Sequence, residues 1–87
     1  MTSMLGMSLE TSDVKNLIES EIRDAEASVR EEFHPGEMDA GQHFEVEVVS
    51  PEFRDLNRVQ QHKRIHEALD EYMGDEIHSV EIDTDIP

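Results

Sequence analysis

The 87-residue chain contains no cysteine. That excludes disulfides, a cysteine nucleophile and any thiolate metal site built from this chain alone. A metal could bind here only through histidine and carboxylate. Tryptophan is also missing, and three Phe and one Tyr make up the aromatic complement. With 36% hydrophobic residues the core is modest, and its packing must supply the stability of one small domain. Long apolar runs are absent. The opening "MTSMLGMSLE" has neither a positive n-region nor a long apolar stretch, so it reads as no signal peptide and no membrane span. The expectation is a cytoplasmic protein with a flexible N-terminus over 1–10 and a single domain over 11–87.

Positive charge is scarce too. Seven Lys and Arg stand against 22 Asp and Glu, for a net charge of −15. Disordered acidic tails share that balance but lack periodic apolar positions. This chain has such positions throughout, so the reading is a folded domain with an acid-coated surface. Proteins of salt-loving cytoplasms carry such surfaces, because at molar salt the Debye length falls to roughly 3 Å and self-repulsion is screened.

The apolar positions give the elements. In "TSDVKNLIESEIRDAE", Thr11, Ser12 and Asp13 offer N-caps, and Val14, Leu17, Ile18 and Ile22 form one helical stripe over about 12–25. "ASVREEF" alternates Ala27, Val29, Glu31 and Phe33 against polar neighbours, as a half-buried strand does. "HPGEMDAGQ" is a loop, and "HFEVEVVS" is a second strand with Phe44, Val46 and Val48 on one face. A second helix is expected in "SPEFRDLNRVQQHKRIHEALDEYMG". Its stripe runs Leu56, Val59, Ile65, Leu69 and Tyr72 or Met73, and Gly74 ends it. "EIHSVEID" is the third strand and "TDIP" a short tail. The order predicts an α+β domain, αββαβ, with a three-stranded mixed sheet and helices on one face. One helix between strands two and three favours a parallel, right-handed crossover.

Three constellations carry chemistry. His62 and His66 lie four apart on helix two, as in zinc-binding helices, but Lys63 occupies the place of the metalloprotease glutamate. Helix-face packing is the plainer account. Arg54, Arg58, Lys63 and Arg64 gather four of the seven cations around that helix. They suggest a nucleic-acid face drawn from Arg58, His62, Lys63 and Arg64. Against it stand the repulsion of a polyanion by the remaining surface, ordinary helix salt bridges, and the acidic "GEMDAG", which is no phosphate loop. No carboxylate pair stands out by spacing and no nucleophile elbow surrounds a serine, so no enzyme is expected. The third set is His34, His43 and His78. With strands two and three parallel, and strand one antiparallel, all three fall at one end of the sheet. Two imidazoles can hold a transition metal or one iron of a cluster, but a structural site wants four ligands, so the rest would come from a partner. Packed or solvated histidines are the plainer account here as well.

From "GQHFEVEVVSPEF" onward the sequence resembles the BolA family. An aromatic strand ending in a Val-Val-Ser-like run and then Phe is matched by Phe44 to Phe53. An Arg-His-Arg-like triplet is matched by Gln61 to Lys63. The closing Ile-His strand and Thr-x-Thr-Pro-like tail are matched by "IHSV" and "TDIP". The match covers about residues 41 to 87. It implies a fold similar to class II KH domains without their phosphate loop, and a monothiol glutaredoxin partner sharing a 2Fe–2S cluster. On that resemblance His78 is one iron ligand and the second comes from the loop before strand two. His34 is preferred because it lies inside the loop, with His43 in reserve. The free chain would be a monomer or weak homodimer without the cluster. DNA is the family's other proposed partner, in transcriptional regulation. Asp55 stands where the family usually has glycine, Gln61 replaces an arginine and His66 a Tyr- or Asn-like residue. These departures weigh against the DNA role more than against cluster sharing.

Overall fold

The computed structural model describes residues 9–32, 42–74 and 77–87. In chain order it holds α1 (Thr11–Glu21), β1 (Glu26–Glu32), β2 (Gln42–Val49), a 3-10 turn (Pro51–Asp55), α2 (Arg58–Ala68), a second 3-10 turn (Asp70–Tyr72) and β3 (Ile77–Asp85). The sheet order is β1-β2-β3, with β1 antiparallel and β3 parallel to the central strand. The expected αββαβ architecture is the observed one.

Local chemistry sets the boundaries. Glu10 caps α1, exchanging bonds with Asp13 in a capping box one residue before the expected Thr11. The helix stops at Glu21, short of the expected residue 25, because Ile22 turns extended and Asp24 takes a left-handed φ of 51°. Ile22 still reaches the core from that turn. Ser50-Pro51 opens the 3-10 turn rather than the helix, and Asn57 with Gln60 forms the capping box of α2. The stripe across "LNRV" therefore breaks: Val59 is 76% exposed. Asp55 does not need a left-handed backbone, since among described non-glycine residues only Asp24 has one. Gly74, at φ 90°, makes the turn that ends the helical region. β3 runs on through Thr84 and Asp85, so the first half of the expected tail is strand.

The core lies between one sheet face and the two helices. Phe44, Val46 and Val48 point inward from β2 against Val14, Ile18 and Ile22 of the first helical segment and Ile65 and Leu69 of the second. Such side chains each contribute about 1.5–3 kcal/mol when fully buried. Buried Ser50 knits the layers: its hydroxyl donates to the Arg23 carbonyl at 2.7 Å and accepts from the Glu52 amide at 3.0 Å. The other sheet face has no helix among the described residues. It carries Glu26, Ser28, Arg30 and Glu32 from β1, His43, Glu45 and Glu47 from β2, and Ser79, Glu81 and Asp83 from β3. No described helix is long and apolar enough to cross a membrane.

Candidate functional site

Parallel pairing puts the starts of β2 and β3 at the same end of the sheet. Gln42 pairs with Ile77, but His43 pairs with Ser79, so β3 spends one extra residue there. That residue is His78. A bulge re-aims the side chain it carries, and His78 is exposed while His43 is half-buried. The two imidazole ring centres lie 5.0 Å apart with planes tilted by 59°. His43 Nδ1 shares a 2.7 Å hydrogen bond with the Ser79 hydroxyl, which fixes the ring's rotation. The next strand residue thus orients one histidine while the bulge presents the other.

The start of β2 is anchored on its other side. Gln42 acts like a backbone peptide towards Leu9, accepting from its N–H at 2.8 Å and donating to its C=O at 2.9 Å. It also donates to the Glu31 carboxylate at 2.8 Å. Phe44 and Ile77, the apolar neighbours of the two histidines in sequence, are buried. The pair therefore stands on core residues.

The distances suit a shared ion. With metal–nitrogen bonds of about 2.0–2.1 Å and roughly tetrahedral angles, two ligating imidazoles have ring centres roughly 5 Å apart. Two histidines on one iron are a known ligand set of 2Fe–2S clusters. Two neutral nitrogens complete no structural site, so a metal held by such a pair would need its remaining ligands from elsewhere. His34, the preferred second ligand by sequence, lies outside the described residues.

Further along the open face, carboxylate oxygens of Glu32, Glu45 and Glu81 lie within 4.8 Å of one another, one from each strand. Arg30 binds Glu45, and that bond holds its guanidinium still more firmly charged than usual. Sequence reading, which found carboxylates everywhere, gave no reason to single these out.

Helix two is built differently. Arg64, one of its expected nucleic-acid residues, turns back into the fold. It donates to Glu52 at 2.7 Å and to the Glu21 carbonyl at 2.6 Å, and lies 3.9 Å from Glu67. Burial pushes the Glu52 carboxyl up, but the bonds from Arg64 and the Arg23 amide outweigh it and hold the group below the usual glutamate range. Gln61 is structural as well, donating to the Phe53 and Leu56 carbonyls at 3.2 and 2.8 Å and accepting from the Thr84 hydroxyl. Arg58 and Lys63 are exposed, with no ion-pair partner among the described residues. His62 is half-buried and His66 exposed, and no third ligand-bearing residue joins them among those described.

These features can be set beside known proteins. The BolA-like protein family profile matches residues 15–87. The chain belongs to the BolA-like family. No curated protein matches it closely enough to count as a relative. Among solved structures it is similar to a BolA homologue from Coxiella burnetii, at 26% identity and a TM-score of 0.71, covering 91% of this chain and 92% of that one. The BolA domain of SufE1 from Arabidopsis thaliana superposes with a TM-score of 0.77 at 22% identity, over 88% and 91% of the two chains. BolA1 from the same plant gives 0.72 at 21% identity, over 93% and 95%. At those lower identities the two plant structures speak for the fold alone. The BolA-like match takes in both β2 and β3, and so both histidines of the pair.

Proposed function

We propose that this BolA-like chain is a non-enzymatic accessory protein that binds a monothiol glutaredoxin and shares a 2Fe–2S cluster with it, in cluster trafficking or iron homeostasis. The observation that carries this reading is the His43–His78 pair, with ring centres 5.0 Å apart at the end of the sheet. His78, exposed on the bulge, is the primary ligand. His43, held through Nδ1 by Ser79, would use Nε2 for the second. This reading takes His43 as the second ligand rather than His34, which lies outside the described residues. The chain has no cysteine, so the thiolates come from the partner. The cluster supplies the electron chemistry; this chain fixes the direction and spacing of two imidazoles, with His78 exposed and His43 half-buried.

The test mixes the chain with cluster-loaded monothiol glutaredoxin and follows visible absorption and circular dichroism. A new spectrum is expected with the wild type and its loss with His78→Ala. An unchanged glutaredoxin spectrum with the wild type contradicts the proposal.

A second reading is supported by Arg58 and Lys63 on α2, which have no ion-pair partner among the described residues: a nucleic-acid-binding regulator. Arg64 drops out of that surface because it clamps Glu52. Binding of a DNA duplex that weakens in Arg58→Ala and Lys63→Ala, with a shallower salt dependence, supports it. Unaltered binding in both variants removes that face.

A further inference from the structure

β1 and β3 are the two edges of the sheet, and the fold treats them differently. Along a strand, successive residues turn their N–H and C=O to alternate sides. The Ser50 N–H donates to the Asp85 carbonyl at 3.2 Å, so Asp85, Asp83 and Glu81 turn their backbone groups towards β2. Val80, Ile82 and Thr84 must turn theirs outward. On β1 the outward groups include those of Ala27, and both are taken. Its N–H donates to the Glu19 carboxylate at 2.9 Å, and its C=O accepts from the Lys15 ammonium at 3.0 Å. Lys15 and Glu19 also pair with each other at 2.5 Å, so α1 caps the start of this edge, at Ala27.

Among the described residues β3 is covered only at its start, where the Gly74 N–H donates to the Ile77 carbonyl at 3.0 Å. Beyond that, no described residue pairs with the outward groups of Val80, Ile82 and Thr84. Val80 and Ile82 are only half-buried, whereas Phe44, Val46 and Val48, their neighbours on β2, are buried. An edge with open backbone groups and partly exposed aliphatics is a template for a further strand.

Resting on the shared-cluster reading, we infer that the thiolate-bearing partner docks by adding a strand to this edge. The occupant is an extended segment with Lys or Arg at every second residue, paired along Val80 to Thr84. Charge selects it. Glu81, Asp83 and Asp85 alternate along β3 on the open face, and cations opposite them are favourable neighbours. A second copy of this chain would set carboxylate against carboxylate, which the same rule disfavours. Position selects it too: the open edge begins two residues after His78, so a docked strand brings the partner alongside the histidine pair.

Two measurements on the complex with cluster-loaded monothiol glutaredoxin test this. Hydrogen exchange read by mass spectrometry should slow at Val80, Ile82 and Thr84 by about tenfold or more, with little change at Ala27. The double variant Glu81→Lys, Asp83→Lys should keep its fold and weaken the complex by roughly tenfold. A new cluster spectrum with unaltered exchange on β3 overturns the added strand and leaves the cluster reading standing. An unchanged glutaredoxin spectrum overturns both. Wild-type affinity in the double variant removes the basic segment.

Discussion

His43 and His78 are 35 residues apart in number yet have ring centres 5.0 Å apart, whereas Arg58, His62, Lys63 and Arg64 share one helix and do not act as one surface. Strand register makes the first set. The parallel β2/β3 pairing and the single-residue bulge set the distance, and Ser79 sets the orientation. Helical periodicity only distributes the second set. Arg64 faces inward to Glu52 and Glu21, while Lys63, the residue before it, faces water with no ion pair among the described residues. Nearness in sequence is thus a poor guide to a shared site, and a cross-strand neighbour a better one. It also separates roles on the helix: Arg64 and Gln61 hold the fold together, and Arg58 and Lys63 are left for a partner or for solvent.

The comparison can be broken at its foundation first. Ile77 is fully buried directly before His78, and Ile77→Ala should cost about 2–5 kcal/mol in urea unfolding. Much of the histidine pair's support should go with it. On the helix side the contrast is between neighbours. Arg64→Ala should destabilise by about 1–3 kcal/mol, because it removes charged hydrogen bonds and strands Glu52. Lys63→Ala should stay within about 0.5 kcal/mol of wild type. Equal losses in the two variants would erase the distinction between them.

A smaller effect is tied to pH. Glu52 has a lowered folded pKa, so its contribution is present above the unfolded glutamate value of about 4.3 and is lost as pH falls through the folded value. Glu52→Gln should therefore be less stable than wild type at pH 7 by about 1 kcal/mol. The gap should close below about pH 4.3, as acid protonates the wild-type carboxylate. A gap independent of pH would mean that packing, not charge, carries the Arg64–Glu52 link. The smallest change belongs to Ser79→Ala. It should leave stability within about 1 kcal/mol while altering the His43 ring-nitrogen shifts by NMR and leaving those of His62 in place.

Much of the fold was legible because each element carries its own period. Val14 and Ile18 mark the first helix, and the alternation of Phe44, Val46 and Val48 marks a strand buried on one side only. The boundaries were harder, since they depend on groups that meet only after folding. Asn57 and Gln60 cap α2 where the apolar stripe suggested that Leu56 and Val59 were already inside it. Of the candidate site, His78 and His43 could be placed at one end of the sheet from topology. Their contact could not, because the extra residue in β3 is a register event and "EIHSVEID" carries no glycine or proline to announce it. The Ser79 bond and the Glu32, Glu45 and Glu81 group likewise arise from pairing across strands. The inward turn of Arg64 depends on where Glu21 and Glu52 end up, which spacing along α2 does not encode.

The central claim is that two imidazoles of this chain, His43 and His78, ligate one iron of a cluster whose thiolates belong to the partner. It is tested most directly by counting nitrogens. With the chain labelled by ¹⁵N-histidine and bound to glutaredoxin, pulsed electron paramagnetic resonance of the reduced cluster should show two coupled histidine nitrogens. His43→Ala should leave one and His34→Ala should leave both. Two couplings surviving in His43→Ala, with one lost in His34→Ala, would contradict the account.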